Sequence, residues 1–346
     1  MDHRQYMQQE RHRPPTKGFR CKEDVEKYKE HLKSVIFKCN LPTLPYDVLE
    51  FHCREPSCGA LEGEEKSVFL TDEDFAVDPN FFDKGYSMAA STGFKVWTGT
   101  RLLIEALSWP QETDCDRLKR IQERIKDNNG TRIVELGAGV GVVGTYLSAA
   151  LGSHVLLTDL PTLVENAIDI NMERNERILS KVQKVNDDDN GDNNNSCPSW
   201  LVNGRKIGKG WADSTPLDWN KPIKEQLSDE QASSIDIILA SDVVFLESMT
   251  KSLFDTVEAL FQASNHNEPT FILSFQKRDP HDGQASESFT TVDGVLLAVK
   301  KRGWTIDCLA WRKVVVKKQD SNGTVRDDES EVFLFEIFDV SSSSQL

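Results

Sequence analysis

The stretch Arg132-Ile-Val-Glu-Leu-Gly-Ala-Gly-Val-Gly-Val-Val-Gly144 decides how this chain folds. Ile133, Val134 and Leu136 are β-formers and predict a short buried strand. Gly137, Gly139 and Gly141 then follow at every second position. Glycine admits positive φ and lets the backbone approach a ligand with no Cβ in the way. Beyond the turn, Val142, Val143, Tyr146, Leu147, Ala150 and Leu151 recur at helical spacing. Strand, glycine turn and helix together aim the free N–H groups of a helix N-terminus at whatever rests on the glycines. The stretch predicts a nucleotide site.

Gly139-x-Gly141-x-x-Gly144 matches the dinucleotide fingerprint, a weak signal by itself. Two features point away from NAD. The glycines begin already at Gly137, and Glu135 stands two residues before them inside the strand. A carboxylate so placed would repel a pyrophosphate but suits a ligand with an amine and no phosphate, such as S-adenosylmethionine. Asp159 ends the next apolar run, His154-Val-Leu-Leu-Thr-Asp159. An acid at the tip of a second strand suits the ribose hydroxyls of either cofactor, so Asp159 supports an adenosine site without choosing between them.

Upstream, Leu102, Leu103, Ala106 and Leu107 make a helix face with Trp97 just before its first turn. That indole reads either as core packing or as an aromatic face for a sulfonium, whose diffuse charge a ring quadrupole attracts. Downstream, Pro161 opens a second helix through Val164, Ala167, Ile168 and Met172. Asn186-Asp-Asp-Asp-Asn-Gly-Asp-Asn-Asn-Asn-Ser196 cannot bury a face and predicts a disordered insertion over about 183–200. Order resumes near Lys206, with Gly210-Trp211-Ala-Asp213 and Pro216-Leu-Asp-Trp219.

Ser234-Ile-Asp-Ile-Ile-Leu-Ala-Ser-Asp242 predicts a fully buried strand with Ser241 and Asp242 at its carboxyl end. Open α/β sheets bind ligands at those ends, so Asp242 belongs on the rim of the glycine turn; a plain turn aspartate is the structural alternative. Met249 to Phe261 gives a helix, Phe271–Phe275 a strand, and Phe289 to Val299 a helix stopped at Gly303. Trp304–Leu309 and Val332–Phe338 close the chain as strands separated by the turn Asp320–Gly323. Strand–helix alternation ending in two strands lets the last one insert antiparallel.

The rest of the chain sets limits. A polar extension over 1–45 carries helical character around Glu23–Lys33. Val48–Phe51 and Val68–Leu70 predict an irregular hairpin ahead of a domain spanning 46–340, with hairpin and helix in 46–110 and the core in 130–340. A net charge of −15 argues against nucleic acid as the main partner. It is compatible with a basic protein substrate, although solubility explains the same number. No apolar run reaches the length of a membrane span, and the N-terminus is too polar for a signal peptide. Seven scattered cysteines without Cys-x-x-Cys suit a reducing compartment, cytoplasmic or also nuclear. His52, Cys53 and Cys58 match no common zinc spacing, so no metal is expected.

Val96-Trp97, Glu135-Leu-Gly-Ala-Gly139, Trp211-Ala-Asp213 and Ser241-Asp-Val-Val-Phe-Leu-Glu247 in combination resemble family-16 methyltransferases. These are protein-lysine methyltransferases related to the valosin-containing-protein lysine methyltransferase, and the resemblance covers roughly residues 90–340. It implies an α/β fold, a Rossmann-like seven-stranded class I methyltransferase sheet with helices on both faces and the last strand inserted antiparallel. It further implies S-adenosylmethionine as cofactor, a lysine side chain of a non-histone protein as acceptor, and a monomer. Trp97, Glu135, Gly137, Ala138, Gly139, Asp159, Trp211 and Ser241 are then expected at the cofactor. Trp219, in a Leu-Asp-Trp context, is the alternative to Trp211 as the adenine-facing ring. Asp242 and Phe245 are expected at the methyl-transfer site, Phe245 standing where the family's Asp-x-x-Tyr motif has tyrosine. Ala212 replaces the family's glycine after the tryptophan. A small-molecule methyltransferase and a catalytically weak cofactor-binding scaffold are the competing functions; an NAD-dependent oxidoreductase fits least.

Overall fold

The strand before the glycine turn lies inside one large sheet. The computed structural model of the chain describes residues 34–40, 48–54, 93–126, 130–186, 196–244, 247–264, 269–277, 290–319 and 325–339. Its strands are β1 Ser34–Asn40, β2 Val48–Arg54, β3 Arg132–Leu136, β4 His154–Asp159, β5 Arg205–Ile207, β6 Gly210–Pro216, β7 Ile237–Ser241, β8 Thr270–Gln276, β9 Thr305–Gln319 and β10 Val325–Phe338. Its longer helices are α1 Thr98–Ser108, α2 Asp116–Ile125, α3 Val142–Leu151, α4 Asp169–Asn186, α5 Asp229–Ser233, α6 Glu247–Ala263 and α7 Val292–Lys301. A helical turn Pro161–Leu163 and a π-helical stretch Val164–Ile168 lead into α4, as the proline led one to expect, and Ile223–Glu225 is a 3-10 turn.

The sheet order is β5-β6-β4-β3-β7-β8-β10-β9. Strands β6, β4, β3, β7 and β8 are parallel neighbours. The last strand, β10, enters antiparallel between β8 and β9, as the sequence pattern leads one to expect. An eighth strand is the departure from the seven expected: β5 folds back onto β6, pairing Ile207 with Gly210. Gly208, at φ +57, makes that two-residue connection possible.

Buried on both faces, the central strands read as nearly unbroken apolar runs. Ile133, Val155, Leu157, Ile237 and Leu239 pack with α1, α2, α3 and α4 on one side. Val134, Leu136, Leu156, Ile238 and Ala240 pack with α6 and α7 on the other. From β3 the chain runs outward to β4 in one direction and later to β7 in the other. The crevice at the carboxyl end of β3 is therefore the place where such a sheet takes a ligand.

The N-terminal hairpin differs from expectation. Val48–Arg54 is a strand and pairs with the upstream Ser34–Asn40; Val68–Leu70 lies outside the described residues. Residues 34–40 thus belong to a paired element and not to a polar extension. The expected helix around Glu23–Lys33 and residues 187–195 of the insertion expected over 183–200 also lie outside the described residues. At the flanks of that insertion the helix runs on to Asn186 and Trp200 is buried, so order extends further than expected.

Candidate functional site

The glycine turn is held from behind by the next strand. Gly137 and Ala138 both donate their N–H to the Thr158 carbonyl, at 2.9 and 3.0 Å. Gly139 donates to Asp159 Oδ2 at 2.8 Å, and Leu160 donates to Asp159 Oδ1 at 2.7 Å. Gly137 and Gly139 have φ of +70° and +58°, values that side-chain-bearing residues rarely adopt. A Cβ on Gly137 would stand 2.6 Å from Val243 Cγ1 and 3.2 Å from Trp219 Cζ2, and one on Gly139 would stand 2.8 Å from the Gly93 carbonyl oxygen. The turn therefore forms one wall with Val243 and Trp219. Burial pushes the Asp159 carboxyl up to about 6, against the Gly139 and Leu160 N–H groups, which favour the carboxylate. A carboxylate has about four lone-pair sites, so Asp159 keeps acceptor capacity for a diol.

Glu135 does not guard the entrance as its position in the sequence suggests. It is 2% exposed and lies beneath the turn. Its Oε2 accepts the N–H of Gly144, in the first turn of α3, at 2.9 Å. One of the unpaired donors at that helix end is thereby satisfied. Burial first, and the Asp159 charge with it, push Glu135 up to about 8 despite the Gly144 N–H. Glu135 supports the turn from within and presents no surface to a ligand.

Asp242, expected at the methyl-transfer site, is likewise held from within. The residue is 5% exposed, and both carboxylate oxygens accept backbone N–H groups. Oδ2 takes that of Gly99 and Oδ1 that of Gln276, the latter at 3.0 Å. Asp242 donates its own N–H to the Ser274 carbonyl at 2.9 Å. Its φ of +54° makes it the one positive-φ residue other than glycine among the described residues. An aspartate so bound latches α1 to the ends of β7 and β8. Ser241, beside it, is partly exposed, and its hydroxyl lies 3.1 Å from that of Thr100 on α1. Phe245 lies outside the described residues.

Three tryptophans were candidates for the site, and their positions differ. Trp97 immediately precedes α1, whose first turn meets Asp242, so it stands at the carboxyl rim; Lys95 Nζ lies 5.8 Å from its ring centre. Trp211 pairs with His154 at the start of β4 and stacks under Lys206 Nζ at 5.4 Å. Five strand residues, about 16 Å, separate it from the carboxyl end of β6. Trp211 was expected at the cofactor, and the structure places it at the foot of β6. Trp219 instead follows β6 at the rim, where Leu217 donates its N–H to the Asp159 carbonyl at 2.8 Å. Its ring lies against Gly137, and its Nε1 is buried with no hydrogen-bond partner.

The rim also gathers residues that the sequence did not single out. Ser274 donates its hydroxyl to the Gly99 carbonyl at 2.9 Å, so the Gly99 residue is gripped on both its amide and its carbonyl. A Cβ there would lie 2.5 Å from Asp242 Oδ2 and from Ser274 Oγ. Gly99 sits in the readable Trp-Thr-Gly stretch, whereas Ser274 is enclosed in a run that reads only as buried strand.

A family model described as lysine methyltransferase matches residues 83–190 and 202–292, breaking across the polar run. The calmodulin-lysine N-methyltransferase of Arabidopsis thaliana is 28% identical over 183 residues, 52% of this chain and 47% of that protein. Protein-lysine N-methyltransferase rrg1 of Schizosaccharomyces pombe is 34% identical over 114 residues, 32% and 33% of the two chains. EEF1A lysine methyltransferase 3 of Mus musculus is 32% identical over 114 residues, 31% and 46% of the two chains. The chain spans less than half the length of each of these relatives.

Proposed function

The chain belongs to the lysine methyltransferase family, and from that premise we propose that it transfers a methyl group from S-adenosylmethionine to a lysine side-chain amine of a protein. The observation that carries the reading is the wall formed by the Gly137–Gly139 turn, Asp159 and Trp219. It combines backbone that a ligand can approach, an acid at the second strand tip with acceptor capacity left, and an indole whose buried Nε1 has no partner. An unpaired buried donor costs about 1–3 kcal/mol, and a ligand acceptor relieves that cost.

When bound, the cofactor supplies an activated methyl on sulfur, so no covalent enzyme intermediate is required. What remains for the protein is positioning. The glycine turn and Trp219 hold the adenosine end, and Asp159 accepts from the ribose hydroxyls. Ser241 and Trp97 line the rim toward the acceptor. Holding donor and acceptor in line is a proximity effect, and desolvation of the entering lysine favours its neutral form. Asp242, with both oxygens on backbone N–H groups, serves by fixing the α1 end of this rim. A cytoplasmic or nuclear location belongs to the same proposal, supported by the free thiols of Cys115, Cys197 and Cys308 among the described residues.

The test is incubation of the purified chain with isotopically labelled S-adenosylmethionine and a lysine-methylation-poor lysate, followed by mass spectrometry of the labelled protein. Label on a lysine amine supports the proposal. Label confined to small molecules, or none with the cofactor bound, overturns it.

A further inference from the structure

Two buried asparagines one helical turn apart, Asn171 and Asn175 on α4, take the place of a neighbouring strand for β2. Asn171 Oδ1 accepts the His52 N–H at 2.8 Å while its Nδ2 donates to the His52 carbonyl at 3.2 Å. Asn175 does the same for Glu50, at 2.8 and 2.9 Å. The spacing explains the fit. Residues i and i+4 of a helix rise about 6 Å, and residues i and i+2 of a strand about 6.8 Å. Each carboxamide then presents one acceptor and one donor to the outer edge of β2, as a peptide group would.

The two asparagines differ in one contact. Asn175 spends its second amide hydrogen on the Asn171 carbonyl, within its own helix, at 2.8 Å. Asn171 spends its second on the carbonyl of Val140, between Gly139 and Gly141, at 2.9 Å. Asn171 is 1% exposed and Val140 is 2% exposed, so water cannot replace that bond. One carboxamide therefore joins the hairpin edge to the glycine turn.

We propose that Asn171 is a positioning residue for the cofactor turn, and that docking of the N-terminal hairpin and binding of S-adenosylmethionine are thereby energetically linked. The inference rests on the cofactor reading above. Replacing the donor by an acceptor of the same shape, as in Asn171→Asp, leaves the Val140 carbonyl without its hydrogen bond and frees the turn to move. Asn175→Asp removes an equivalent donor from the hairpin edge but touches nothing in the turn.

The experiment is titration of S-adenosylmethionine by calorimetry into wild type, Asn171→Asp and Asn175→Asp, with thermal midpoints measured on the same samples. Both variants should lose stability. Asn171→Asp should weaken binding about tenfold, the scale of one buried hydrogen bond, while Asn175→Asp stays within about twofold of wild type. In turnover with saturating protein substrate, Asn171→Asp should raise KM for the cofactor with little change in kcat, the pattern of lost ground-state binding. Equal affinities for the two variants, or wild-type affinity in Asn171→Asp, overturn the inference. Should Asn171→Asp fail to fold, hydrogen exchange on wild type decides: linkage requires slower exchange of the Glu50 and His52 amides on cofactor saturation, and unchanged exchange refutes it. A wild type that binds no S-adenosylmethionine defeats the cofactor reading itself, and the inference falls with its premise.

Discussion

The carboxylate of Asp242, at the end of β7, accepts the backbone N–H of Gly99, 143 residues earlier in the chain. Helix α1 is thus fastened by its first turn to the rim where the candidate cofactor wall ends. Asp242→Ala removes an acceptor from two buried N–H groups and leaves a β-carbon in a left-handed conformation. Each orphaned donor costs about 1–3 kcal/mol, and the conformation about 1 kcal/mol. A stability loss of about 3 kcal/mol is expected, measured by chemical denaturation, with methyl transfer falling alongside it. An Asp242→Ala protein of wild-type stability contradicts the latch.

Glu135 gives a pH dependence whose sign is set by its burial. Its carboxyl titrates near 8 in the folded chain against an ordinary value of 4.5. The folded state therefore binds the extra proton between those values, and stability present below about 4.5 is lost as the pH rises through about 8. Asp159, raised from 3.8 to about 6, adds a loss in the same direction over its own, lower window. Glu135→Gln can still accept from Gly144 and has no charge to bury. Its melting temperature should vary less between pH 5 and 9 than wild type and exceed wild type at pH 9. Parallel curves for the two proteins count against the assignment.

The glycines of the turn are not interchangeable with alanine. Gly139→Ala forces a left-handed alanine, worth about 1–2 kcal/mol, and drives its methyl toward the Gly93 carbonyl. Gly137→Ala drives a methyl into Val243 and toward Trp219. Both should lose S-adenosylmethionine binding by at least about tenfold in calorimetric titration, the equivalent of about 1.4 kcal/mol. Unchanged affinity in either variant removes that position from the wall.

The tryptophans separate cleanly. Trp219→Ala should weaken cofactor affinity about tenfold, the upper range of a single aromatic contact at about 1.5 kcal/mol. Trp211→Ala, at the opposite end of β6, should leave it within about twofold. Fluorescence titration of both variants checks this, and the reverse ranking rejects the placement of the adenine-facing ring on Trp219.

The backbone plan was legible because it rests on local pattern. Ile133 to Leu136, the alternate glycines and the apolar helix after them form what their spacing dictates, and Asp159 arrives at the turn because β4 ends beside β3. Roles were harder to read than places. Glu135 and Asp242 stand near the expected positions, yet both carboxylates face inward onto helix ends, and no local pattern tells a side chain which way it turns. Trp211 against Trp219 turned on where β6 begins: the strand starts at Gly210, which leaves Trp211 at its foot. The docking of β2 was hidden because its outer edge is taken up by Asn171 and Asn175, more than a hundred residues away.

The long sequence separation of the rim contacts governs when the pocket comes into being. Gly99 meets Asp242 across 143 residues and Ser274 across 175. The glycine turn and β4 form from the contiguous segment 132–159, whereas α1 has no anchor until the ends of β7 and β8 are in place. Domains assemble as units during synthesis, and distant pairings close late. Closure of this rim is therefore a late event in folding, set by pairings that span much of the chain.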